Sequence, residues 1–441
     1  MSEITTLSRF NLRKNVSFAA AELFVNTALL FFGYRMVIKQ GGVEAVGVWA
    51  TLYAWTNLIR LGDVGVAAAA TRFLALWNVT DDREKVRVYG ETALLTNVIQ
   101  FGVLATLAYF AIGPFVERLV GANHAAEALR VLPLLVFGFF LLNISGTLLG
   151  ILQGLHMGYR RSQLSVLGTV IQLLVVLLLV PAIGLRGLAW AQIVQHSIVA
   201  VVCWVIIRRK MGSAFVPTCF DRVCFRAMLG YSVKAQVVNL SSGLVDPISK
   251  ALVGHFGGMT AQGLYELAYK TVLLPRNLVA SGVTAATPTM AALFHKDRGQ
   301  LRRVYARAFR LSAGLMAITS LGLIAFAPLP SLLWLGRINT TYWLYVALLS
   351  AGFFGNVLGA PAYVLGMASG RLGNNILVTV LVLALLLVLG ISTGSIWGGA
   401  AAVAATSFAI GFGGIAIWLM NRKLVDPDNA PDEGVVESHA Y

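Results

Sequence analysis

The sequence predicts an all-α polytopic membrane protein with twelve transmembrane helices in two parallel six-helix lobes. Three observations predict this fold class. Hydrophobic residues make up 58% of the chain and charged residues 12%, with a mean hydropathy of +0.77, whereas soluble domains are about half apolar and a quarter charged. Apolar runs of about 20 residues, long enough to cross a bilayer as helices, recur throughout. The second half of the chain also repeats features of the first.

The apolar runs predict the spans in order. The first run follows a polar start and has no evident cleavage site, so we interpret it as a retained span and not as a signal peptide. No long polar stretch separates the runs, which leaves no place for a soluble catalytic domain. The predicted spans are 16–38, 47–77, 89–111, 129–153, 163–182, 186–207, 227–255, 263–293, 305–329, 340–367, 374–393 and 396–420.

Basic residues concentrate in alternate loops, which predicts the orientation. The positive-inside rule places the basic loops in the cytosol, so both termini are predicted to be cytoplasmic. This asymmetry accounts for most of the formal net charge of +15, so we expect no nucleic-acid partner. The opposite side carries few cations beyond Lys39, Arg118, Arg186 and Arg337.

The two halves match at a shift of 216 residues. Gly41-Gly42 falls on Gly257-Gly258, Gly47 on Gly263, Arg60 on Arg276, and the triplet Arg87-Val88-Tyr89 on Arg303-Val304-Tyr305. Six spans bring the chain back to the same side, so the repeats are predicted to be parallel, with a binding site between the lobes near the midplane. The predicted domains are lobe 1–210, lobe 211–423 and a disordered tail 424–441.

Ionisable side chains lie in several predicted spans, where they are costly unless they pair or line a wet cavity. At helical spacing they form polar stripes on otherwise apolar helices. The stripes comprise Glu22, Asn26 and Gly33; Tyr53, Arg60, Asp63 and Thr71; Gln192, Gln195 and His196; Asn239, Ser242, Asp246 and Lys250; and Glu266, Lys270, Asn277, Ser281 and Thr284.

Two interpretations of these charges stay open. In the first, Arg60 with Asp63, Asp246 with Lys250 and Glu266 with Lys270 are neutral intrahelical pairs that hold helices together. In the second, the cations line a cavity for an anionic cargo such as a phosphate, which guanidinium binds bidentately. The second is favoured by three cations without an acidic neighbour at helical spacing, Arg72, Lys234 and Arg276.

The sequence contains no P-loop and no dinucleotide-binding motif, so we expect an ion gradient, the membrane potential or the cargo gradient to drive any transport. Glu22, Asp63, Asp246 and Glu266 are the candidates for ion coupling. The spacing of the three cysteines predicts neither disulfides nor a metal site, and we expect no cofactor.

Small residues and prolines predict local packing and bends. The run "GFGG" at 411–414 reads as a helix-packing surface. Prolines 247, 275, 288 and 361 fall inside predicted spans, where they free carbonyl groups and bend helices. We interpret the lone His196 as a structural hydrogen-bonding group in preference to a proton carrier.

Two segments carry a resemblance to a known family. "GGVEAVGVWATLYAWTNLIRLGDVGVAAAATRFLA" and its echo "GGMTAQGLYELAYKTVLLPRNLVASGVTAATPTMA" resemble the O-antigen-type polysaccharide flippases of the multidrug, oligosaccharidyl-lipid and polysaccharide (MOP, MATE-like) exporter superfamily. The resemblance implies a V-shaped pair of lobes in the bacterial inner membrane that flips an undecaprenyl-diphosphate-linked oligosaccharide to the periplasmic leaflet. Polysaccharide polymerase and chain-length proteins are its candidate partners, beside membrane lipids. The cavity cations it implies are Arg60, Arg72, Lys250, Lys270 and Arg276.

Three other functions stay open at this point. A cation-coupled drug or metabolite antiporter of the same superfamily would share the lobes but favour an acidic cavity. A peptidoglycan-precursor flippase would usually be longer by two C-terminal spans. A multispan polysaccharide polymerase or ligase would need a sizeable periplasmic loop, and the longest predicted outer loop, about 112–128, is short. We therefore expect a transporter and not an enzyme.

Overall fold

A computed structural model describes residues 2–79, 82–211, 219–229, 243–284, 286–369 and 373–425, with side chains described from residue 25 onward. Within these ranges the chain is almost entirely helical and contains no strand. Beyond Val425, the predicted disordered tail lies outside the described residues. Lys234, Asn239 and Ser242 lie in another segment that is outside them.

Eight of the described helices are long and apolar enough to cross a membrane. Helices of this length satisfy their backbone hydrogen bonds internally, as the hydrocarbon region requires. The chain is therefore a multi-pass membrane protein. The eight helices are Arg83–Val120, Ala122–Gly154, Gly158–Ile183, Leu185–Met211, Arg298–Phe326, Thr340–Leu358, Gly373–Trp397 and Gly399–Leu424.

Within the described ranges, most helices follow one another with short connections. In chain order, the helices before residue 212 are α1 Ser2–Asn57, α2 Val66–Val79, α3 Arg83–Ile112, α4 Val116–Val120, α5 Ala122–Gly154, α6 Gly158–Ile183 and α7 Leu185–Met211. After a helical segment, α8, at 222–229, they are α9 Val245–Thr284, α10 Thr287–Lys296, α11 Arg298–Phe326, α12 Pro328–Leu335, α13 Thr340–Leu358, α14 Ala360–Ala368, α15 Gly373–Trp397 and α16 Gly399–Asn421.

Contacts divide the chain into two compact units. The first unit comprises 1–254 with 258–263 and 333–335, and the second comprises 255–257, 264–332 and 336–441. These units are defined by contacts. The predicted lobes 1–210 and 211–423 were defined by membrane topology instead, and they stay a prediction.

The first unit is built around α5, which packs against α2, α3 and α7, while α6 packs against α1 and α7. Its buried core includes Leu74 from α2, Ile151 and Leu152 from α5, and Cys203 and Ile207 from α7. Burying such side chains stabilises helix contacts by close packing.

The second unit is built around α16, which packs against α13, α14 and α15. Glycines make the closest of these contacts. A Cβ placed on Gly355 would lie 2.9 Å from the Cα of Gly411, and one placed on Gly352 would overlap Ser407. The predicted packing role of the "GFGG" run is thereby confirmed, because the side-chain-free surfaces let two backbones approach closely.

Two long helices break at equivalent glycines. Helix α1 is interrupted at Gly42 (φ 71°, ψ −174°) and helix α9 at Gly258 (φ 74°, ψ 179°). This region of backbone space is almost exclusive to glycine. The two breaks are 216 residues apart, so the repeat found in the sequence has a matching repeat in the backbone.

The predicted second span 47–77 is not one helix, and this corrects the polar stripe drawn on it. After α1 the chain forms a 3-10 turn at Leu58–Gly62 and is non-helical at 63–65 before α2 begins. The Oδ1 atom of Asp63 accepts the backbone N–H of Gly65 at 2.8 Å, a local bond that competes with helix formation. Arg60 and Asp63 therefore do not share a helical face with Thr71.

Two further predicted spans are divided near their prolines. The predicted span 263–293 consists of α9 and α10, and Pro288 lies in the first turn of α10. The predicted span 340–367 consists of α13 and α14, and Pro361 lies in the first turn of α14. Proline is well tolerated in a first turn because the N–H it lacks has no intrahelical acceptor there. Pro247 likewise lies in the first turn of α9, and only Pro275, among these four, lies in the interior of that helix.

Candidate functional site

The structure places the sequence-derived candidates in both units. Arg60, Asp63, Arg72, Asp246 and Lys250 belong to the first unit, and Glu266, Lys270 and Arg276 to the second. The side chain of Glu22 lies outside the described part of the structure.

Both candidate lysines form the intrahelical pairs that the first interpretation predicted. Lys250 is only 2% exposed, and its Nζ lies 3.0 Å from the Oδ2 of Asp246, one turn earlier on α9. The Nζ of Lys270 lies 3.7 Å from the Oε1 of the buried Glu266. The positive charge of each lysine is thus compensated by a carboxylate of its own helix.

The third predicted pair does not form an ion pair among the described side chains. Asp63 directs its carboxylate to the backbone of Gly65, and the side chain of Arg60 is exposed. Arg72, on α2, is also exposed. The first interpretation therefore holds for the lysines and fails for Arg60.

Among the described residues, Arg276 is held by amide oxygens and not by a carboxylate. Its Nε and Nη2 atoms donate to the Oδ1 of Asn356 on α13, at 3.1 and 2.8 Å, and its Nη1 donates to the Oδ1 of Asn277 at 3.1 Å. An amide oxygen carries no net charge, so these bonds orient the guanidinium without neutralising it. The side chain is partly buried, and the arrangement holds a fixed positive charge ready for an anion.

Two tyrosines, Tyr269 and Tyr363, lie within electrostatic range of this guanidinium. The Tyr269 ring lies 5.6 Å from both the Tyr265 and the Phe353 rings, measured between centroids. Phe353 precedes Asn356 by one helical turn on α13, and the Tyr363 phenol lies within electrostatic range of Arg276. Aromatic side chains near a charge exclude water, and electrostatic attraction to an anionic ligand is stronger where water is excluded.

Sequence reasoning missed Asn356 and Phe353. A signal for Asn356 was available, because it is the one amide in the mostly apolar stretch 344–360. Its pairing with Arg276, 80 residues earlier, could not be predicted because the polar stripes described single helices.

Some of the other polar residues within predicted spans connect helices. The Oγ of Ser145 and the Nδ1 of His196 lie 3.1 Å apart, which joins α5 to α7. Thr169 donates to the Oδ1 of Asn26 at 3.3 Å. The structural interpretation of His196 is thereby supported, since a hydrogen bond between helices is a common use of such residues.

Comparisons with solved structures show the fold. A structure described as the inward-facing conformation of a multidrug resistance MATE family transporter of the MOP superfamily has a TM-score of 0.79 at 14% identity, covering 90% of this chain and 94% of that chain. A MOP superfamily transporter from Pyrococcus furiosus, described as having a binding pocket of reverse polarity, has a TM-score of 0.67 at 16% identity, with 93% and 95% covered. A MATE protein in complex with MaD3S has a TM-score of 0.66 at 14% identity, with 93% and 95% covered.

These likenesses show that the chain has the fold of MATE-like MOP superfamily transporters, which confirms the resemblance inferred from the sequence. A comparison with curated proteins gave no match. Residues 58–339, well over half of the chain, match the family described as polysaccharide biosynthesis protein. The chain therefore belongs to the polysaccharide biosynthesis protein family.

Proposed function

We propose that this protein flips a lipid-diphosphate-linked oligosaccharide, the repeat unit of a surface polysaccharide, from the cytoplasmic to the periplasmic leaflet of the bacterial inner membrane. The observation that carries the proposal is a polysaccharide biosynthesis family match on a transporter fold. A carrier lipid of the undecaprenyl-diphosphate class fits, because its diphosphate is the anion that guanidinium groups bind best. In this proposal the chain crosses the membrane twelve times, as two six-span repeats of the same orientation with cytosolic termini.

We assign binding of the diphosphate or of acidic sugars to Arg60, Arg72, Lys250, Lys270 and Arg276. Among these, Arg276 is supported most strongly, because its guanidinium is oriented by amides and keeps its charge. The lysines have a second role as partners of Asp246 and Glu266. Release of either pair on protonation of its acid would couple transport to protons, for which Glu22 and Asp63 are further candidates.

Transport by alternating access requires no bond cleavage, so the oligosaccharide should leave the protein chemically unchanged. Polysaccharide polymerase and chain-length proteins would act on it afterwards, as its partners in the periplasm.

The direct experiment uses the purified protein in vesicles loaded with a lipid-diphosphate-linked oligosaccharide. A membrane-impermeant glycosidase outside the vesicles should digest the sugar faster than in protein-free vesicles. Gln substitutions of Arg60, Arg72 and Arg276 should each slow digestion about tenfold, since a hydrogen bond to a charged group contributes roughly 1.5–3 kcal/mol. Arg337→Gln, an exposed cation outside the assigned set, is the matched control. Digestion at the protein-free rate would overturn the proposal.

A test in cells complements this one. Deletion should trap lipid-linked repeat units on the cytoplasmic leaflet and remove the polysaccharide from the surface. Normal surface polysaccharide in the deletion strain would argue against the function.

One observation favours a second candidate function. A solved structure of the same fold is described as a multidrug resistance transporter. A cationic drug needs an available carboxylate, and the carboxylates of Asp246 and Glu266 here pair with lysines. We therefore expect expression of this protein to leave tolerance to cationic drugs unchanged, and increased tolerance would favour the antiporter.

A further inference from the structure

The first unit carries a basic depression that none of the residues assigned to the oligosaccharide lines. It has two adjoining parts, a cavity of about 190 Å³ and a wider groove of about 520 Å³, which share Leu155 and Lys210. A water molecule takes about 30 Å³ in the liquid, so each part has room for a phosphate group. Its charged lining consists of Arg83, Arg87, Arg160, Arg209, Lys210 and Glu84.

Membrane topology explains the sign of these charges but not their convergence. The cations come from three separate places in the chain, the starts of α3 and α6 and the end of α7. The positive-inside rule is satisfied wherever a basic residue lies in a cytosolic loop. Arg208 shows the difference, because it is exposed and lies next to Arg209 but lines neither part of the depression.

Arg87 has hydrogen-bonding capacity that the residues described in the structure do not use. Its Nη2 donates to the Oε1 of Glu84 at 2.8 Å. Its Nε is buried and has no hydrogen-bond partner within the described residues. A buried donor without an acceptor costs roughly 1–3 kcal/mol, and an anion in the cavity would remove that cost.

The surroundings favour a ligand that is part lipid. Leu155, Met157 and Ile206 line the groove beside the cations. The exposed Tyr159 accepts a hydrogen bond from the Nε of Arg160 at 3.0 Å, and Lys85 lies 4.0 Å from the centre of the Trp77 ring. Tyrosine and tryptophan beside cations are typical of the headgroup level of a membrane.

We infer that this depression binds the phosphate headgroup of an anionic phospholipid of the cytoplasmic leaflet. Its guanidinium and ammonium groups contact the phosphate, and the acyl chains extend past the apolar side of the groove. Basic pockets among helices on the cytoplasmic side are suited to such headgroups. This lipid is distinct from the transported one, so its binding does not depend on the proposed function.

Native mass spectrometry of the full-length protein in detergent, titrated with dioleoyl phosphatidylglycerol, tests the inference. The wild type should bind phosphatidylglycerol more tightly than dioleoyl phosphatidylcholine. Lys210→Gln, which removes the cation shared by both parts, should weaken phosphatidylglycerol binding about tenfold, the effect of one lost charge-assisted hydrogen bond. Arg208→Gln removes the same charge from the same helical turn and should bind like the wild type.

Two results would overturn the inference. If Lys210→Gln and Arg208→Gln weakened phosphatidylglycerol binding equally, the lipid would be attracted to the surface charge alone. Displacement of the lipid by inorganic phosphate at matching concentration would mean a site for a soluble anion. Arg160→Gln, which removes a groove cation from the start of α6, provides a second variant. A thermal unfolding midpoint measured without lipid checks that each variant is folded.

Discussion

Charged residues within the predicted spans differ in whether a carboxylate lies next to them. Lysine is a compact point charge on a flexible stem, and Lys250 and Lys270 each reach a carboxylate one turn away. Arginine is a rigid planar fork, and Arg276 instead uses three of its nitrogens on amide oxygens. The charge of each lysine is compensated by a carboxylate of the same helix. The amide oxygens orient the guanidinium of Arg276 and leave its charge uncompensated.

We therefore predict that Asn356, the amide partner of Arg276, supports transport because it is uncharged. Asn356→Asp keeps an acceptor for Nε and Nη2 but places a carboxylate against the guanidinium. Leaflet exchange of the oligosaccharide should fall about tenfold, since a compensated cation attracts a diphosphate less. Asn277→Leu, which removes the acceptor of a single bond, should have a small effect. Wild-type exchange by Asn356→Asp at normal protein levels would refute a role for the charge.

Helix pairs in this protein meet at glycines, and one such contact has internal symmetry. In the first unit, a Cβ on Gly47 would overlap the carbonyl oxygen of Met259, and a Cβ on Gly263 would overlap the carbonyl oxygen of Val43. Both glycines, and both carbonyls, are related by the 216-residue repeat. Nearby, the Oε1 of Glu44 accepts a hydrogen bond from Thr260 at 2.9 Å. Equivalent segments of the two repeats thus cross backbone to backbone.

Alanine at either glycine should destabilise this crossing. Gly47→Ala and Gly263→Ala each force a methyl group into a backbone carbonyl, and overpacking of a tight contact typically costs about 1–3 kcal/mol. At Gly146, within α5, an added methyl group would have no atom of another helix within 4 Å, and Gly146→Ala should be neutral or gain up to about 1 kcal/mol in helix propensity. Thermal unfolding of the detergent-solubilised protein should show lowered midpoints for the first two variants alone. Equal midpoints for all three would mean that the crossing tolerates a side chain.

At the scale of the whole molecule, a tandem repeat has been folded into a multi-pass helical transporter fold. Orientation in the membrane is predicted from the distribution of basic loops. The three cysteines give a direct test of that orientation, because Cys203 is buried, Cys224 is partly buried and Cys219 is exposed.

A membrane-impermeant maleimide should label Cys219 in inverted vesicles and not in right-side-out vesicles or intact cells. Burial, and then a hydrogen bond to Asp221, raise the pKa of Cys224 to about 11. Only about one in ten thousand of its thiols is ionised at pH 7, and labelling should rise about tenfold per pH unit toward pH 11. Cys219→Ser should therefore abolish labelling at pH 7. Labelling of Cys219 from outside intact cells would contradict the predicted orientation.

Hydropathy and repeat spacing, both visible in the sequence, determined the multi-pass helical architecture and the internal repeat of this protein. Long apolar runs can satisfy their backbone groups in lipid only as helices, so the sequence alone predicts a multi-pass helical protein. Matching glycines predicted the repeat, and Gly42 and Gly258 adopt the same backbone conformation because few other residues can. Pairs at i and i+4 on one helix, Asp246 with Lys250 and Glu266 with Lys270, were predictable because both partners lie on the same face.

Tertiary structure decided the rest, because the remaining contacts join residues that sequence spacing cannot relate. Helical periodicity assumed one helix through 47–77, whereas the Asp63 carboxylate bonds to the chain two residues on and ends the helix locally. Arg276 received its amide partner from another helix, 80 residues away. The basic depression around Lys210 likewise exists only because α3, α6 and α7 begin or end together. Helical periodicity describes one face of one helix. The contacts of Arg276 and the basic depression each involve more than one helix.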